Sequence, residues 1–118
     1  MRTLVALALA FVLLLAAPSE IKEPQIRKET VKQYAERLAT AKWSEVEWHC
    51  LSVLWFRESR WNHKAKNPKS SARGIAQILN TPVGTTPTRQ VELGIKYVAH
   101  RYETPCHALS HHFRRGWY

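Results

Sequence analysis

The chain contains no aspartate. All nine of its acidic side chains are glutamates, set against eighteen lysines and arginines. A reaction that requires two carboxylates must therefore draw both from a short list of glutamates. Long hydrophobic runs are missing too. The longest, Leu4 to Ala17, covers fourteen residues, short of the roughly 20 that a membrane-spanning helix needs. Cysteine is limited to Cys50 and Cys106, and their spacing fits no standard zinc pattern. There is no internal repeat. No RNA- or DNA-binding signature accompanies the basic charge, so nucleic acid is not an expected partner.

What remains is enough for one small domain in 118 residues. Arg2, the apolar run and the small residues Ala16, Ala17 and Ser19 read as a secretory signal peptide over residues 1–19. Pro18 blocks the most obvious cut, so an N-terminal anchor with transient membrane contact is the other reading. Either one places the protein in the periplasm or outside the cell. Residues 20–42 form a linker and a first helix, and residues 43–118 the main domain. Two cysteines in an exported chain suggest one disulfide. A zinc site from Cys50, Cys106, His107 and His111 is the alternative, because the two histidines stand one helical turn apart. The net charge of +9 suits a polyanionic partner, and export favours an acidic cell wall.

The hydrophobic pattern is helical. Val31, Tyr34, Ala35 and Leu38 recur at i, i+3, i+4 and i+7 and predict an amphipathic helix over about 25–41. Ser44 and Glu47 form the sequence pattern of a capping box. The helix behind it has Val46, Cys50, Val53 and Leu54 on one side and Leu51 and Trp55 on another, as in a central helix. It is expected to end near Trp61-Asn62, with Glu58 in its last turn. Residues 62–80 leave room for a small β-hairpin. Thr88 is the expected cap of a helix over about 89–102, which turns Val91, Ile95, Val98 and Tyr102 to one face. Thr104-Pro105 opens a last helix that stops before Gly116. The fold class is mainly α.

Most of the glutamates have a structural use. Glu45 and Glu47 belong to a cap, Glu92 suits the start of its helix, and Glu103 sits at a helix end. Glu58 has none. The negative end of a helix dipole opposes its ionisation. Trp55, Phe56 and Trp61 would desolvate it, which also raises its pKa, while Arg57 and Arg60 act in the opposite sense. A glutamate kept protonated near neutral pH has the property that a general acid for glycosidic cleavage requires. A surface Glu paired with its neighbouring arginines is the competing explanation.

The stretch 48-WHCLSVLWFRESRWNHKAKNPKSSARGIAQIL-79 resembles the lytic transglycosylases of lysozyme-like (α+β) fold, in particular their small phage-associated and secreted SLT-domain forms. The resemblance rests on Cys50, Leu54-Trp55, Glu58-Ser59, Trp61-Asn62, Ala65, Asn67-Pro68, Ser71, Ala72 and Gly74-Ile75-Ala76-Gln77. It continues through Gly94, Tyr97, Arg101-Tyr102, Pro105-Cys106, His111 and Gly116-Trp117-Tyr118. It covers roughly residues 43–118.

The resemblance implies one catalytic carboxyl. Glu58 would protonate the oxygen of the β-1,4 bond between N-acetylmuramic acid and N-acetylglucosamine. It would then take the proton of the muramyl 6-hydroxyl as a 1,6-anhydro ring closes. Such a reaction needs no second carboxylate and no cofactor, and it fits a monomer acting on peptidoglycan strands. Ser59 would support Glu58. Gln77 would bind substrate, with Gly74 allowing close backbone approach, and Tyr97 would line the cleft. His111 stands in Ala108-Leu109-Ser110-His111, where larger relatives carry Ala-Tyr-Asn, a departure from the pattern. Trp117 and Tyr118 stack on sugar or pin the chain to the core. Two rivals stand beside this reading. One is a hydrolytic muramidase on the same fold, using a second Glu, for which Glu92 and Glu103 are the candidates, or a held water. The other is a non-catalytic, basic wall-binding protein.

Overall fold

The computed structural model describes residues 28–118, so the expected signal peptide, and all but the last positions of the linker, lie outside the described residues. Four helices follow one another: α1 (Val31–Lys42), α2 (Glu45–Ser59), α3 (Pro87–Tyr102) and α4 (Pro105–Arg115). The fold is mainly helical, as expected. None of the described helices is long and apolar enough to cross a membrane.

Each helix begins on a side-chain cap. Thr30 caps α1 and closes a full capping box with Gln33, which starts this helix later than the periodicity alone predicts. Thr86, not Thr88, caps α3, with Pro87 in its first turn. Thr104 and Pro105 open α4 as expected, and Gly116 closes it in the left-handed region. The expected box at Ser44 is only half formed. Ser44 accepts from the Glu47 N–H, but the Glu47 carboxylate turns away and accepts the Cys106 N–H at 2.8 Å. There it satisfies an orphan donor at the positive end of α4, and so fastens α2 to α4.

The same two helices are joined covalently by the Cys50–Cys106 disulfide. The disulfide consumes both thiols of the alternative zinc set. It suits an oxidising compartment.

The core is formed by Ala35 and Ala39 of α1, Leu51, Leu54 and Trp55 of α2, Ile75 and Ala76, Val91, Ile95 and Val98 of α3, and Ala108 and Leu109 of α4. The apolar surround expected of α2 is only partly realised, because Val46 and Val53 face solvent. The Trp55 side chain of α2 reaches across to Gly94 of α3. A Cβ there would lie 2.5 Å from the Trp55 ring and 2.7 Å from the Ala76 Cβ. Neither neighbour can retreat from a packed core. Gly94→Ala is therefore expected to cost about 2–3 kcal/mol, read as a lower denaturant midpoint at unchanged slope.

Residues 62–80 do not form the expected hairpin. Only two isolated antiparallel bridges occur, Lys66 with Arg73 and Arg73 with Ile78. Positive φ at Gly74, Gln77 and Asn80 curls this segment into successive turns before a ladder can extend. Gln90, buried on α3, holds the turns in place. Its Oε1 accepts the Ile75 N–H at 2.9 Å, and its Nε2 donates to the carbonyls of His63 and Thr85.

Candidate active site

Glu58 lies in the last turn of α2, and the chain reverses immediately behind it. Arg60 and Trp61 both adopt left-handed backbone, with φ of 54° and 62°. For a bulky side chain such as Trp this costs on the order of 1–2 kcal/mol. The indole offsets the cost by packing on Trp48 and Trp55 and donating to the Ser52 carbonyl at 3.2 Å. The reversal leaves Glu58 in the last turn of α2, near the negative end of its dipole.

The carboxyl is largely buried, with its side chain 15 % exposed. Burial pushes its pKa up to about 7, against the opposing pull of the Arg57 charge. Arg57 is drawn partly aside, since its guanidinium lies over the exposed Phe113 ring at 4.8 Å. Glu58 is thus half protonated near neutrality.

Its nearest polar neighbour is His112 of α4. The His112 Nδ1 stands 3.0 Å from Glu58 Oε1, and the imidazole side chain is 10 % exposed. The two atoms are in contact, yet misaligned for a hydrogen bond, and Nδ1 has no other partner. Burial first, then the charges of Arg57 and His111, hold His112 below its ordinary pKa of 6.5. Burial thus raises the proton affinity of the glutamate and lowers that of the histidine.

Tyr118 closes the other side. Its hydroxyl accepts from Trp55 Nε1 at 3.0 Å and donates to the Ala76 carbonyl. Burial and the nearby Glu58 charge push its pKa well up, so it stays a neutral phenol. The Tyr118 ring lines a hollow of about 410 Å³ shared with Gln77, Tyr97, Arg101 and Trp117. A second hollow of about 420 Å³ lies along the basic loop beside Lys64 and Arg73. Glu58 lines neither; Tyr118, whose pKa the Glu58 charge helps to raise, lines the first.

The residues expected around Glu58 fall into two groups. Tyr97 lines the first hollow, T-stacked on Tyr118, and its hydroxyl accepts from Arg101 at 3.0 Å. Gln77 lines the same hollow, with its Nε2 donating to the carbonyls of Ala65 and Gly74. The others do structural work. The Ser59 hydroxyl donates to the Ile75 carbonyl at 2.6 Å, which ties the end of α2 to the turns of 73–78. Gly74 is buried with φ +86°, and a Cβ there would strike Gln90 Oε1 at 2.4 Å. Its close approach is to Gln90. His111 packs between Tyr102 and Trp117, with Nδ1 2.9 Å from the Trp117 carbonyl. It positions the 116–118 segment.

His112 is the residue that sequence reading passed over for its neighbour. Helical spacing does single it out, because Pro105, Ala108, Leu109 and His112 form the buried face of α4 and His111 lies one step off it. Of the rival carboxylates, that of Glu92 is engaged elsewhere. Glu92 accepts from Tyr34 at 2.7 Å and from Arg89 at 3.1 Å, and both hold its pKa down. It lies beyond the first turn of α3, so partners rather than the helix dipole account for it. Glu103 caps the far end of the same helix. Neither is among the groups that shift Glu58.

No family model matches the chain, and searches of curated proteins and of solved structures find no match.

Proposed function

We propose that the chain is a peptidoglycan lytic transglycosylase in which Glu58 is the single general acid and base. The observation that carries this reading is one buried carboxyl at a helix end, with a pKa of about 7 and, among the described residues, no second carboxylate acting on it. A pair of carboxyl groups about 5–5.5 Å apart would point to a retaining hydrolase, and a pair about 6.5–9.5 Å apart to an inverting one. A lone carboxyl suits a reaction whose nucleophile belongs to the substrate.

In that reaction the protonated Glu58 donates to the glycosidic oxygen as the C1–O bond breaks. The muramyl 6-hydroxyl attacks C1 from within the same sugar, and its proton passes to the Glu58 carboxylate. The acid is regenerated and no water is consumed. The basic surface supports the same reading. Lys64, Lys66 and Lys69 are exposed on the 62–73 loop and suit an acidic polymer. The aromatic hollow of Tyr97, Trp117 and Tyr118 offers faces for sugar rings. Export through the N-terminal segment to the periplasm or beyond completes the proposal.

The test is the mass of the products. Purified peptidoglycan treated with oxidised protein is expected to release fragments whose muramyl ends are lighter by one water, and Glu58→Gln to release none. Hydrated reducing ends would make the protein a hydrolytic muramidase. Absence of fragments, with wall binding retained, would leave a basic wall-binding protein.

A further inference from the structure

His112 meets Glu58 at 3.0 Å with both side chains largely buried, and among the described residues its Nδ1 is the buried side-chain polar atom with no hydrogen bond. A buried polar atom without a partner is costly. A misaligned donor and acceptor at contact distance is an arrangement that tightens in another state of the same site. The terminal torsion of a glutamate side chain is broad, so the carboxyl can turn onto the ring nitrogen without changing rotamer.

We propose that His112 is the positioning residue of Glu58. In its Nδ1–H tautomer it donates to Oε1, which fixes the carboxyl plane and leaves Oε2 to carry the mobile proton toward the substrate. The two oxygens thereby become unequal. When the proton leaves, the Nδ1–H bond to Oε1 becomes charge-assisted and strengthens, so it favours the state in which Glu58 has just acted as an acid. When Glu58 recovers its proton the bond weakens again. His112 itself gains and loses no proton in the cycle.

The surroundings are consistent with that neutral role. Arg57 on α2 and His111 on α4 both oppose a positive charge on His112. Tyr118 faces Glu58 as a neutral phenol, with Tyr97 of α3 behind it. Helix α1 supplies none of the groups that shift either partner. An imidazole kept neutral does not compete with Glu58 for the proton. This inference deepens the transglycosylase reading and rests on it for its catalytic part.

The experiment uses His112→Asn, whose amide nitrogen replaces Nδ1 as a donor, and His112→Leu, which fills the space without one. Two readouts are taken on oxidised protein of confirmed fold. The first is the titration of the Glu58 carboxyl followed by carbon NMR, which needs no substrate. With the donor lost, the carboxylate loses its support, so the Glu58 midpoint in His112→Leu is expected to rise by about one pH unit and to return in His112→Asn. The second is release of anhydro-muropeptides. The kcat of His112→Leu is expected to fall about 10–100-fold with KM unchanged, the alkaline limb of its pH profile is expected to move up with the midpoint, and His112→Asn is expected to recover most of the rate.

An unmoved Glu58 midpoint together with an unchanged kcat in His112→Leu would overturn the proposal. So would a loss of rate that His112→Asn does not rescue, since that marks a packing role. If the wild-type protein cleaves nothing, the transglycosylase reading and the catalytic role of His112 fall together. A shifted midpoint would then still establish the Glu58–His112 pair.

Discussion

Glu58→Gln is expected to lose cleavage by about 10²–10⁴-fold, the usual contribution of a general acid, and to become more stable at the same time. The two effects share one cause. The folded protein holds the Glu58 pKa at about 7 against an ordinary value of 4.5, so folding favours the protonated carboxyl. That contribution is fully present below about pH 4.5 and is lost as pH rises through 7. The gap between the two values corresponds to roughly 3 kcal/mol. Partial access of water to the carboxyl reduces the expected figure to about 2 kcal/mol. Gln has the same shape and no charge to desolvate. The variant is therefore expected to melt about 10 °C above wild type at pH 8 and level with it near pH 4, in paired thermal scans. The activity profile follows from the same ionisation. Wild-type kcat/KM is expected to fall above a pH of about 7, where the acid loses its proton. An inactive variant with no pH-dependent gain in stability would mean that Glu58 is not the desolvated carboxyl on which the mechanism depends.

The sequence carried this argument a long way at some positions and failed at others for identifiable reasons. Caps and breakers are local signals, so Thr104-Pro105, Gly116 and the end of α2 after Glu58 were legible to within a residue or two. Glu58 itself was legible because subtraction left it without a structural use. Glu47 was misread in part, since Ser-x-x-Glu specifies a reciprocal cap only while no stronger donor is within reach. Here the Cys106 N–H, distant in sequence but adjacent through the disulfide, takes the carboxylate. Gly74 and Ser59 carry a similar lesson. The motif assigns both to the site of Glu58, but the partners that explain them, Gln90 and the Ile75 carbonyl, arrive only by tertiary packing. Periodicity could have distinguished His112 from His111, because a single step along a helix turns a side chain by about 100°. The motif position falls on His111, one step off the buried face that carries His112.

Reduction of the Cys50–Cys106 disulfide, or Cys50→Ala with Cys106→Ala, is expected to have the largest effect on stability of any change outside the core. The bond closes a loop of 56 residues, and the chain-entropy model assigns a loop of that length about 4 kcal/mol. The described part of the chain is small, and small domains have a total stability of only about 5–15 kcal/mol. The loss is not confined to the crosslink. The sulfurs join the first half of α2 to the first turn of α4, which is also where Glu47 meets the Cys106 N–H. Glu58 and His112 lie further along the same two helices. Loosening the α2–α4 contact therefore separates the acid from its buried surroundings as well as weakening the fold. Denaturant titration with and without a reductant is expected to show the midpoint falling by the equivalent of about 4 kcal/mol. The Glu58 midpoint is expected to move from about 7 back toward 4.5 in whatever fraction remains folded. A reduced protein that unfolds at the same denaturant concentration as the oxidised one would show that packing alone holds α2 against α4. A reduced protein that is weakened but still titrates Glu58 near 7 would show that the site is built by the core around Trp55 and Ile75 and that the disulfide only secures it.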